Sequence, residues 1–139
     1  MKFIRLVLGA TFLTAAGCGT PGNPEAERLA VESAGEWLVL VDNGDYGGSW
    51  QQAAGYFRSA VTREKWEQGV GGVRKPLGAV VSRKVKSKTY ATSLPGAPDG
   101  EYVVIKYDTT FENKRASVET VTPMRDSDGR WRVSGYYVN

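Results

Sequence analysis

Two carboxylates and one arginine are the side chains in this sequence best placed for chemistry: Asp42, Glu119 and Arg83. A carboxylate withdrawn from water can serve as a general base. An arginine on an apolar face needs an acid or a backbone acceptor. Alternation along Val81–Val85 puts Arg83 on one strand face with Val81 and Val85. Asp42, at the end of a helical run, and Glu119, in a strand run, are the candidate acids for it. Either the three form a structural ion pair that fixes helix against sheet, or Arg83 is the polar anchor of a pocket for an anionic ligand. The next residues out, Lys84, Lys86 and Lys88, alternate and are expected to share the opposite face. Six positive residues lie between Arg74 and Lys88, with no acid before Asp99. The lysines are candidates for contact with an anionic surface, such as phospholipid headgroups, lipopolysaccharide or an acidic protein. The plainer role for such lysines is to stop an exposed strand from pairing with another sheet.

Much other chemistry is excluded by composition. The 139 residues include no His and one Cys. The Ser-His-Asp and Cys-His nucleophile systems and the HExxH zinc sites therefore cannot be built. A single Cys makes neither an internal disulfide nor a cysteine-rich metal centre. No GxxxxGK[ST] loop is present, and no Ser is followed three residues later by Lys. Gly69-Val70-Gly71-Gly72 is expected to end a helix rather than to cradle a phosphate. Asp126-Ser127-Asp128-Gly129 is similar to the start of a calcium loop, but the twelfth position holds Tyr137 where the loop needs Glu; it reads as a hairpin turn. No catalytic residue, metal or cofactor is assigned.

The single cysteine has a reading of its own. Lys2 and Arg5 precede an apolar run from Leu6 to Ala16, too short to span a bilayer. A positive start, a short apolar centre and small residues after it form an export signal. Ala15-Ala16-Gly17-Cys18 resembles the bacterial lipoprotein signal, with Ala15 where Leu is preferred. That resemblance implies removal of residues 1–17 and lipid modification of Cys18. Cleavage after Ala16 or Gly17 by the ordinary signal peptidase is the competing outcome. Residues 18–24 would then be the lipidated Cys and a short tether. Beyond the signal, 16 Lys+Arg face 15 Asp+Glu, so the basic character belongs largely to the leader and gives no reason to expect a nucleic-acid partner. The expected location is the cell envelope, held by the Cys18 anchor. In a Gram-negative host, Gly19 favours the periplasmic side of the outer membrane.

Residues 25–139 must position these side chains, and they read as helices first and strands after. Asn23-Pro24 is a cap and first turn, and apolar residues recur at helical spacing from Ala26 to Val41, with Asn43-Gly44 as the stop. A second helix is predicted from Ser49, with Gln52 completing a capping box, and Trp50, Ala53, Ala54, Phe57 and Val61 on one face. A third is predicted from Thr62 to about Val70. Strands follow at roughly 79–92, 101–112, 115–125 and 130–138, with a tight turn at Asn113-Lys114. Val103, Ile105, Tyr107 and Phe111 should share one face, as should Trp131, Val133 and Tyr137, against Trp37, Trp50, Phe57 and Trp66. The fold class is α+β: two to three N-terminal helices on one face of a curved four-stranded antiparallel sheet.

The sequence also carries Arg74-Lys75-Pro76-Leu77-Gly78, Leu94-Pro95-Gly96-Ala97-Pro98-Asp99-Gly100-Glu101-Tyr102 and Trp131-Arg132-Val133-Ser134-Gly135-Tyr136-Tyr137. With these stretches the chain resembles, over about residues 30–138, a family of small exported bacterial proteins known as domain of unknown function 4019. The resemblance implies a cystatin-like or nuclear-transport-factor-two-like cone and carries over no catalytic residue. The expected function is non-enzymatic binding of a small ligand or an envelope protein by a lipid-anchored domain. The alternative is a small cone-fold enzyme with Asp42 or Glu119 as general base.

Overall fold

A computed structural model describes residues 22–139; the signal segment and Cys18 lie outside the described residues. The first helix, α1 (Pro24–Asp42), starts as the sequence dictates: the Asn23 side chain accepts a hydrogen bond from the Ala26 N–H at 3.1 Å. Its buried stripe begins with Ala26, Ala30 and Ala34 and ends with Trp37, Leu38 and Val41. The small residues bring the backbone close to the sheet, and the large ones fill the middle of the core. Asn43 caps it, and Gly44 turns the chain away at φ +76°, a region that disfavours a β-carbon.

The second predicted helix is two short ones, α2 (Tyr46–Gln51) and α3 (Gly55–Ala60). The cap of α2 is Asp45, whose carboxylate accepts from the Gly48 N–H at 2.9 Å. Ser49 is no cap: it is buried inside α2, where its hydroxyl donates to the Tyr46 carbonyl and accepts from the Trp66 indole. The helical run breaks because Ala54 is extended and its N–H donates to the Val133 carbonyl at 2.8 Å. A tertiary hydrogen bond here overrides the local pattern.

The third predicted helix, α4 (Arg63–Leu77), does not stop near Val70. It continues through Gly69, Gly71, Gly72 and Pro76. Packing of this helix on α2, with Gly71 at the contact, outweighs the poor helix propensity of its glycines, of which Gly69 and Gly72 are exposed. Gly71 is buried, and a β-carbon there would lie 3.3 Å from the Tyr46 ring. The extra turns carry Arg74 into the interior.

The strands β1 (Val80–Ala91), β2 (Tyr102–Phe111), β3 (Lys114–Arg125) and β4 (Trp131–Val138) form an antiparallel meander in chain order, curved and not closed. The β2–β3 turn is Glu112-Asn113, one residue earlier than the sequence suggests. Val103, Ile105, Tyr107 and Phe111 are all buried, as alternation requires. The main core joins them to Val121, Val133, Val70 and the stripe of α1; a smaller cluster of Ala54, Tyr102 and Met124 packs with Leu94 and Ala97. Trp66 is partly buried against that main core, and Phe57 meets its ring edge-on at 4.9 Å.

Bulges correct the predicted faces in both edge strands. In β4 the pairs Val121–Tyr136 and Pro123–Val133 leave Ser134 and Gly135 opposite Thr122 alone. The extra residue turns Tyr136 inward and Tyr137, 53% exposed, outward. Trp131 is half-buried rather than fully buried. In β1 the register shifts at Val81 and again at Lys86. Val81 is 65% exposed and Val85 43%, so neither is a buried companion of Arg83, although Val85 still pairs with Tyr107. The second shift also splits the lysines. Lys84 pairs with the outward Asp108, but Lys88 pairs with Ile105 on the helix side. All three lysines are exposed, yet they do not form one stripe.

Candidate functional site

Asp42, Arg83 and Glu119 do come together, and the structure adds Arg74, Thr109 and Tyr136 to them. Every element of the main layer contributes: α1 brings Asp42, α4 brings Arg74, and β1 to β4 bring Arg83, Thr109, Glu119 and Tyr136. Arg83 bridges the acids, donating from Nη1 to Asp42 Oδ2 and from Nε to Glu119 Oε1, both at 2.7 Å. Its Nη2 donates to Asp42 Oδ1 at 2.9 Å and to Glu119 Oε2 at 3.1 Å. Arg74 Nη2 donates to Asp42 Oδ1 at 2.8 Å, and its guanidinium lies 5.0 Å from the Phe111 ring centre.

Glu119, 0% exposed, is saturated. Besides Arg83 it accepts from the Thr109 hydroxyl at 2.6 Å and the Tyr136 hydroxyl at 2.5 Å. Two arginines balance two carboxylates, so the cluster carries no net charge, the condition under which buried ions are tolerated. Burial raises the Asp42 pKa, but the hydrogen bonds from Arg83 and Arg74 outweigh it and leave the carboxyl below its ordinary 3.8. Burial alone would depress Arg83, yet its bonds to Asp42 and Glu119 hold it above the usual arginine value. Burial and then the Glu119 charge push the Tyr136 phenol far up. Burial chiefly lifts Tyr107, the neighbour of the pair, to about 12. A base must hold a free lone pair facing a substrate; these two carboxylates direct their oxygens at arginines, a threonine and a tyrosine.

Open space lies elsewhere. A cleft of about 710 Å³ runs between α1 and β4 with its hairpin. It covers the edge of β4, where the Ser33 hydroxyl and the Ala54 N–H occupy the Trp131 and Val133 carbonyls. Leu29, Trp37, Leu40 and Trp131 supply the apolar lining; Glu32 and Glu36 stand on the helix side and Arg130 and Arg132 on the hairpin side. Arg132 is neutralised by Asp128 at 2.7 Å and Asp126 at 3.2 Å. Asp126 in turn accepts from the Gly55 N–H, tying the hairpin to α3. A smaller cavity of about 280 Å³ shares Leu29, Gly129 and Trp131 with the cleft and continues to Asn23. Among the described residues, no group of three or more acids or Cys is arranged to hold a metal.

Arg74, Thr109 and Tyr136 are the members that sequence reasoning missed. Arg74 was legible only at one remove: Trp66, Val70 and Arg74 follow each other at four-residue spacing, so a helix continued past its glycines turns Arg74 inward. Cys18 lies outside the described residues, and Lys84, Lys86 and Lys88 lie away from both the cluster and the cleft lining.

Fold and site together define an α+β domain locked by an internal arginine–carboxylate cluster, with an open cleft along its first helix. The chain belongs to the family described as protein of unknown function (DUF4019), which it matches over residues 33–136. Neither the curated proteins nor the solved structures give a match.

Proposed function

We propose that the protein is an exported cell-envelope domain, held to the membrane through a lipid on Cys18, that binds a small ligand or an envelope protein without chemical turnover. The observation that carries this reading is the division of labour between the two sites. The buried Glu119 and the more exposed Asp42 are taken up by Arg74, Arg83, Thr109 and Tyr136, which occupy the oxygens a base would need. The cleft beside α1 instead offers a mixed lining, with Leu29, Leu40 and Trp131 beside Ser33, Gln52 and charged groups of both signs, room and polarity enough to hold a ligand. The membrane half of the reading rests on the leader and the single cysteine that follows it. One acyl chain gives marginal attachment, whereas two give a stable one.

Two measurements test it. Cells fed radiolabelled palmitate should label the wild-type protein and not Cys18→Ala, which should be either released in soluble form or left as the unprocessed precursor. Fragment screening by amide NMR should move resonances at Ser33, Glu36, Gln52 and Arg130–Arg132. A wild type that is unlabelled and wholly soluble removes the anchor. Perturbations absent from the cleft, or a substrate consumed by the purified protein, remove the binding reading.

A further inference from the structure

We propose that the cleft beside α1 takes the headgroup of a zwitterionic phospholipid, its ammonium at Glu36 and its phosphate at Arg130. This rests on the membrane-anchored reading above. The charges along the cleft are not equivalent. Arg132 is held by Asp126 and Asp128, and Glu32 lies 3.6 Å from Arg28. Glu36 and Arg130 are both exposed and make no ion pair among the described residues, with each other or with anything else. They line opposite sides of one cleft, separated by more than the 4 Å over which they could neutralise each other directly. A ligand with one positive and one negative group satisfies both; a purely anionic or purely cationic one satisfies a single side and is repelled by the other. Leu29, Leu40 and Trp131 line the same cleft and offer apolar surface to the first methylenes below a headgroup.

Position names the source of such a ligand. The smaller cavity carries the cleft to Asn23, the residue from which the chain runs back to Cys18. Five peptide links cover at most about 18 Å. A lipid on Cys18 therefore holds Asn23 within about 18 Å of the anchored residue, within reach of the headgroup layer, and the tether raises the effective concentration of headgroups.

The test is an NMR titration of the processed chain in non-ionic detergent with glycerophosphoethanolamine, followed at the Trp131 indole N–H. Saturable binding is expected. Glu36→Gln and Arg130→Gln should each weaken it at least tenfold while leaving the melting temperature unchanged, because both side chains are exposed and unpaired. Glycerophosphoglycerol, which lacks the ammonium, should bind at least tenfold more weakly. Non-saturable shifts, insensitivity to either substitution, or equal affinity for the two headgroups overturns the proposal. Leucine binding as tightly as the headgroup also overturns it and makes the ligand an amino acid. The titration does not need an acylated cysteine and is repeated on Cys18→Ala. Failure of palmitate labelling with intact titration removes the anchor alone; labelling with a failed titration removes this site alone.

Discussion

Arg74 and Arg83 donate to the same oxygen, Asp42 Oδ1, at 2.8 and 2.9 Å. Two guanidinium groups brought this near to one another repel, so the arrangement is stable only while both acids are charged and in place. Asp42 links the arginines from the helix layer, and Glu119 faces Arg83 from the sheet. The cluster thus works as a four-charge joint between the end of α1, the end of α4 and the edge strand β1. An edge strand that is exposed along most of its length has little apolar contact to hold it in register; the joint supplies a polar one.

Arginine removal should separate the joint from the surface charges. Arg74 is 4% exposed and Arg83's side chain 16%. Removing one member of a buried pair leaves its partner uncompensated, at a cost of about 3–5 kcal/mol. Arg74→Ala is expected to lose at least as much stability as Arg83→Ala in urea denaturation. The triple Lys→Ala variant at 84, 86 and 88 should stay within about 0.5 kcal/mol per site. A larger loss in the lysine triple than in Arg83→Ala would mean that β1 is paired in another register.

The β4 bulge makes its own claim. Tyr136→Phe removes the hydroxyl that donates to Glu119 and accepts from Arg74 Nη1 at 3.3 Å. Leaving such buried charged partners short of a hydrogen bond costs about 1–3 kcal/mol. Tyr137→Phe, on the exposed side, should change stability by less than about 0.5 kcal/mol. Equal effects for the two substitutions in thermal melts would refute the inward placement of Tyr136.

The β2 strand shows what a sequence can display: strict alternation with no bulge before Thr109 puts Val103, Ile105 and Tyr107 where counting places them. The edge strands were opaque because an inserted residue has no signature in composition. Val81 and Tyr137 are read onto the wrong face by the same count that succeeds in β2. The acids Asp42 and Glu119 were legible as partners of Arg83, since a charge on an apolar face demands one. Arg74 was hidden behind Gly69, Gly71 and Gly72, a run whose poor propensity is outweighed by tertiary packing of the helix, with Gly71 against Tyr46, information that exists only in the tertiary structure.

The two tryptophans of the α1–β4 contact should respond differently. Trp37 is 3% exposed, its indole donates to the Ser49 carbonyl at 2.8 Å, and its ring meets Tyr136 at 5.3 Å. Trp37→Ala is expected to cost about 3–5 kcal/mol. Trp131 is half-buried and faces the cleft, so Trp131→Ala should cost less, though more than a surface change. Denaturant midpoints at matched slope give the comparison. An equal or greater loss at Trp131 would place it in the core and close the cleft.

Acid should dissolve the joint, and the sign follows from Asp42. Burial opposes its charge, but hydrogen bonds from Arg83 and Arg74 hold its folded pKa below the ordinary 3.8. A depressed carboxyl contributes stability that is complete above its unfolded value and is lost as pH falls through the folded one. Glu101, bonded to Arg125 and Tyr90, and Asp126, where burial is outweighed by the Ser127 and Gly55 N–H bonds and then by Arg132, are shifted the same way. Stability should therefore be flat from neutral pH down to about 5, decline from near pH 4, and go on declining below 3.8. At the alkaline end the sign reverses. Tyr107 and Tyr136 hold their protons more tightly when folded, so stability is full below pH 10 and lost above it. Absorbance at 295 nm should show these two phenols titrating only as the protein unfolds. Tyr136→Phe should shift the alkaline unfolding midpoint upward relative to its neutral stability, because one of the two buried phenols is gone. An alkaline profile identical to the wild type's would refute the burial of that hydroxyl against Glu119.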